Sequence, residues 1–105
     1  MDMNQIMQQA QQFQAKMSEM QAELATKTVS ATVGGGMVTA VVNGKQELLS
    51  LKVEPDVIDP AEADMLQDLI VAAVNEAMKQ AKEMMQAEMG KLTGGMGLNL
   101  PNMFG

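Results

Sequence analysis

Apolar residues recur at helical spacing along the first quarter of the chain. Met3, Ile6, Ala10, Phe13, Met17, Met20 and Leu24 follow one another by three and four residues in turn. That is an a/d heptad seam, and it predicts a helix over about Asp2 to Ala25. Its other faces are rich in amides, with Gln5, Gln8, Gln9, Gln11, Gln12, Gln14 and Gln21. The period then changes to two. Val29, Ala31 and Val33 alternate with Thr28, Ser30 and Thr32; Val38, Ala40 and Val42 alternate with Met37, Thr39 and Val41. Such alternation is the signature of half-buried strands. A third run ends at Val53, so that Thr28 to Val53 reads as a three-stranded antiparallel meander.

Two turn signals punctuate it. Gly34-Gly35-Gly36 separates the first two strands, and Asn43-Gly44 the second and third. A two-residue Asn-Gly hairpin turn would set Val42 opposite Lys45 and Val38 opposite Leu49. One sheet face then holds Val38, Ala40, Leu49, Leu51 and Val53; Thr39, Ser50, Lys52 and Leu48 lie on the other. The mostly apolar face needs a cover, and the helices are the candidates.

The run from Glu54 to Pro60 holds two prolines and three acids and closes the sheet. Asp59 is placed as an N-cap, with Pro60 at the first helical position and Glu62 two residues further on. Leu66, Leu69, Ile70, Ala73, Val74, Ala77, Met78, Ala81, Met84 and Met85 form the apolar stripe of a second helix, predicted from about Pro60 to Met89 with Gly90 as its end signal. The residues after Lys91 are dominated by Gly, Asn and Pro and read as a flexible tail. The class is α+β in the order α-β-β-β-α, with one domain over residues 1–92 and a tail over 93–105.

A first helix of about 23 residues is roughly 34 Å long, whereas strands of about seven residues span some 23 Å. The apolar seam therefore outruns the sheet, and a meander leaves two open edges. A symmetric homodimer relieves both. The interface is assigned to Val38, Ala40, Leu49 and Leu51 on the sheet and to Leu69, Ile70, Ala73 and Val74 in the dense first half of the second helix.

Composition narrows the chemistry. The chain has 13 Met and 2 Phe, and no Trp, Tyr, Cys or His. Without Cys or His there is no thiolate or imidazole for zinc, no Cys nucleophile and no Ser-His pair. A carboxylate-only magnesium or calcium site stays open, but no EF-hand spacing is present. The three glycines run into a strand, Met37-Val38-Thr39, and lack the Gly-Lys-Ser/Thr ending of a phosphate loop. No enzyme, cofactor or small-molecule substrate is expected. The Met seam is core packing, or else a groove for a protein ligand.

The net charge is −6, and residues 54–68 alone carry six acids and no base. Much of that cluster suits the start of a helix, where the dipole favours negative charge. There is no Arg, hence no bidentate fork for phosphate or guanine. The N-terminus lacks a basic start and an apolar core, and no run of about 18 apolar residues exists, so neither a secretory signal nor a membrane span is expected.

Three stretches carry a resemblance: QAQQFQAKMSEMQAEL, VGGGMVTAVVNGKQELLSLKVEP, and DMLQDLIVAAVNEAMKQAKEMMQAEMGKLTGGMGLNLP. In this order the chain resembles the YbaB/EbfC family of bacterial nucleoid-associated proteins over nearly its whole length. The resemblance implies an α-β-β-β-α fold, a tweezer-shaped homodimer, and duplex DNA bound by protruding helices, largely without sequence specificity. It also implies a cytoplasmic, nucleoid location, a role in nucleoid organisation and gene regulation, and no catalysis. An acidic protein can still bind DNA through local phosphate contacts. The candidate contacts are Lys16 on the first helix, Lys79, Lys82 and Lys91 on the second, and Lys27 at the start of the sheet. The alternative is a Met-rich protein-interaction or chaperone-like dimer that does not bind DNA.

Overall fold

The computed structural model describes residues 2–95. Helix α1 spans Met3–Thr26, strand β1 Thr28–Val33, β2 Val38–Asn43 and β3 Leu48–Val53. Two short 3₁₀ turns, Pro55–Val57 and Pro60–Glu62, lead into helix α2, Ala63–Gly95. The sheet is antiparallel in the order β1-β2-β3. The predicted α-β-β-β-α order is the observed one. Of the tail expected over 93–105, residues 93–95 belong to α2, and the rest lies outside the described residues.

Helix α2 lies across β1 and β2. Ala31, Val38, Ala40 and Val42 meet Ala73, Ala77 and Ala81, which recur every fourth residue along α2. Alanine at each contact lets the helix backbone approach the sheet closely, while Val29, Val33, Val53, Leu69, Ile70 and Met78 close the margins. Strand β3 extends past this cover. Leu48, Leu49 and Leu51 are 45%, 53% and 39% exposed.

The opposite is true of α1, which touches the body only near its end. Met20 and Leu24 are buried, Phe13 and Met17 half-buried, and Met3, Ile6 and Ala10 exposed. The heptad seam is thus covered for its last two turns and open at its start. The radius of gyration is 19.3 Å, against roughly 13 Å for a compact domain of about 100 residues.

The hairpin between β2 and β3 departs from the sequence expectation. Val38 pairs with Val53 and Val42 with Leu48, with an irregularity between Val41 and Val42. The connection is therefore longer than two residues. Asn43 N–H donates to the Glu47 carbonyl at 3.0 Å, Gln46 N–H to the Asn43 carbonyl at 3.0 Å, and Gln46 takes the positive φ of 63°. This is a type I turn followed by a left-handed residue. The reason is the end of α1, which the turn wraps. Gly44 N–H donates to the carbonyls of Leu24 at 2.8 Å and Lys27 at 3.0 Å. Asn43 is buried and fully used: its amide donates to Ala25 O and Glu47 Oε1, and its Oδ1 accepts from the Lys45 and Glu47 N–H groups.

Both boundaries of α2 also moved. Asp59 does cap, accepting from Ala61 N–H at 3.0 Å, but the first turn is 3₁₀ and the α-helix begins at Ala63. Gly90 does not end it. The helix runs on because α1 lies alongside, with Leu92 beside Lys16 and Met20 and Thr93 buried. Tertiary packing overrides the weak propensity of one glycine.

Candidate nucleic-acid interface

The five lysines assigned to DNA fall into two groups. Lys16, Lys91 and Lys27 gather where α1 passes the last turns of α2. Lys16 and Lys91 line one cleft with Glu19, Met20, Glu23, Glu88 and Leu92. Lys79 and Lys82 lie further back on α2, both exposed. Lys82 precedes Leu92 by ten residues, or about 15 Å of helix. One chain does not bring all five into a single patch.

Ion pairing divides them differently. Lys27 Nζ donates to Glu88 Oε1 at 2.8 Å, and Lys91 Nζ to the same oxygen at 3.4 Å. Glu88 thus holds two of the five cations, whereas Lys16, Lys79 and Lys82 form no ion pair among the described residues. Sequence reading missed the role of Glu88. It is 61 positions from Lys27, and no local pattern announces so distant a partner.

The hydrogen bond from Lys27, aided by its charge, holds the Glu88 carboxyl below its ordinary range. The same bond holds the Lys27 ammonium above its own. A depressed carboxylate contributes stability above its unfolded pKa and loses it as pH falls through the folded value. A raised ammonium contributes below its unfolded pKa and loses it as pH rises through the folded value. The contribution is therefore present from roughly pH 4.3 to roughly pH 10.4 and fades outside that window. Thermal melts of wild type and Glu88→Gln across pH test this. The gap between the two curves is expected to be widest near neutrality and to close at both extremes; a gap independent of pH would count against the pairing.

Among the described residues, Met20 is buried and Met17, Met37, Met78, Met84, Met85 and Met89 are half-buried, while Met3, Met7 and Met65 are exposed. Met17, Met20 and Leu24 face Met85 and Met89 across a cleft of about 450 Å³, floored by Gly44 and Lys45. Lys45, expected opposite Val42 at the start of the third strand, sits instead in the turn and lines this cleft because the turn wraps α1. Of the residues assigned to a dimer interface, Val38, Ala40 and Ala73 are fully buried in the chain's own core, and so offer no side-chain surface to a second copy. Leu69, Ile70 and Val74 are half-buried. Leu49 and Leu51 are open, with Ile58, Met65 and Val71 also exposed.

The chain thus combines an α-β-β-β-α fold with an exposed, amide-rich first helix and lysines spread over two regions. The profile of the YbaB/EbfC DNA-binding family matches residues 1–96. The chain is 55% identical over 101 residues to a nucleoid-associated protein of Syntrophobacter fumaroxidans, covering 93% of this chain and 92% of the relative. It is 50% identical over 103 residues to one of Clostridium kluyveri, covering 98% and 89% respectively. The protein belongs to the YbaB/EbfC family, whose members are nucleoid-associated DNA-binding proteins and not enzymes. A crystal structure of an uncharacterized Helicobacter pylori protein, HP0035, shares the fold with a TM-score of 0.79 at 23% identity, covering 88% of this chain and 97% of that one.

Proposed function

We propose that the protein acts as a homodimer that binds duplex DNA, largely through phosphates, and contributes to nucleoid organisation and gene regulation in the cytoplasm. Family membership supports the ligand. The observation that carries the contact surface is the set of three lysines, Lys16, Lys79 and Lys82, that stay exposed and without an ion pair among the described residues. Two copies double that set. The uncovered leucines of β3 and its open edge support self-association.

Titration of duplex DNA with the full chain at several salt concentrations tests the reading. Affinity is expected to fall steeply with salt, because lysines that replace condensed counterions release them. Replacing Lys16, Lys79 and Lys82 with Ala is expected to weaken binding about tenfold or more at low salt, evenly across sequences, and to flatten the salt dependence. No retention of DNA at low salt would overturn the function. The Met17, Met20, Met85 and Met89 cleft would then favour a protein ligand instead.

A further inference from the structure

The first half of α1 has a feature that phosphate binding leaves unused. Between Asp2 and Lys16 there is no charged residue, yet six glutamines occur, all exposed. Gln5, Gln8, Gln12 and Lys16 follow at spacings of three, four and four, which places them on one face. At about 100° per residue, that face points away from the Met3, Ile6, Ala10 and Phe13 seam. Gln9 flanks this face, about 55° from its centre, whereas Gln11 and Gln14 lie about 105° and about 165° round the helix. The stripe extends about 16 Å along a helix that projects from the body.

A helix of ordinary width enters the major groove of duplex DNA, where an adenine presents one acceptor and one donor side by side. The carboxamide of Gln matches that pair with one donor and one acceptor. The surroundings favour this use. The chain carries no Arg, so it has no fork for guanine. Its acidic cluster, residues 54–68, lies elsewhere in the chain, and along α1 no acid follows the cap until Glu19. The only charge on the stripe up to Lys16 is that lysine, placed to hold a phosphate beside the groove.

Resting on the DNA-binding reading above, we propose that Gln5, Gln8 and Gln12 form a base-reading stripe that prefers adenine-containing steps, with Lys16 fixing its register on the backbone. Phosphate contacts then set most of the affinity, and the amides set a preference among sequences.

The test uses the full chain and a panel of duplexes of equal length that differ in A·T content and arrangement, each titrated over a salt series. Wild type is expected to separate the best and worst duplexes by about fivefold or more. Gln5→Ala/Gln8→Ala/Gln12→Ala is expected to collapse that separation while leaving the salt dependence unchanged, since no charge is removed. Alanine favours helix, and circular dichroism checks that α1 persists. Gln11→Ala/Gln14→Ala is the control and should keep the preference. If wild type binds every duplex equally, or the triple variant keeps the preference, or the control loses it, the stripe is wrong while the DNA-binding function stands. If no duplex is bound at low salt, the function itself fails first.

Discussion

Gly44→Ala is expected to destabilise the protein by about 3 kcal/mol or more, lowering the thermal midpoint by about 10 °C or more. A methyl group at this position would lie 2.6 Å from Leu24 Cδ2, 2.8 Å from Leu24 O and 2.9 Å from Leu24 Cβ. The side chain can turn aside, but the carbonyl cannot, because it accepts the Gly44 N–H at 2.8 Å. Moving it breaks that bond and lifts the turn from α1. Trimming the partner, in Gly44→Ala/Leu24→Ala, therefore should not restore stability. Gly90→Ala is the contrasting case. Nothing lies within 4 Å of the added carbon, and the position is inside α2, so a gain of about 1 kcal/mol is expected. Differential scanning calorimetry of both variants decides; a Gly44→Ala protein that melts with wild type would show that the turn does not clamp the helix.

The second large effect concerns self-association. If the open face of β3 is where two copies meet, Leu49→Lys/Leu51→Lys buries two ammonium groups per chain without partners. Breaking a buried interface in this way costs about 3–5 kcal/mol per uncompensated charge, so the dimer is expected to weaken by about 100-fold or more. Light scattering should then give a species near the 11.2 kDa mass of one chain, with the helical content kept because both leucines are exposed in the single chain. Charged leucine variants that associate as wild type does would place the contact elsewhere. DNA affinity should fall with the dimer, since each copy brings only half of the lysines.

Much of the fold was legible from periodicity. The seam from Met3 to Leu24 and the alternation from Thr28 to Val42 are local signals, and each marks an element that forms. Where the reading failed, a contact between distant residues was responsible. Asn43-Gly44 looked like a two-residue turn because nothing local shows that Leu24 and Lys27 supply carbonyls for Gly44 to satisfy. Gly90 looked like a stop because nothing local shows α1 running beside it. Of the site, the lysines could be named but not ranked. Lys27 and Lys91 differ from Lys16 only through Glu88, which the fold brings to them. Nor does the sequence distinguish Val38 and Ala40, which α2 covers, from Leu49 and Leu51, which stay exposed: which strand α2 covers depends on the packing of Ala73, Ala77 and Ala81, not on any strand's own pattern.

The grip of the Asn43–Gly44 turn on the end of α1 has a mechanical side. A helix of 24 residues is about 36 Å long, and it is held firmly only at its last two turns. It works as a lever with a short clamped arm and a long free one. With about 25 Å of helix beyond the clamp, a tilt of about 10° there swings the far end by about 4 Å, a little more than one base-pair step of about 3.4 Å. Small changes in the turn, far from any nucleic acid, are thereby magnified into changes of aim at the tip.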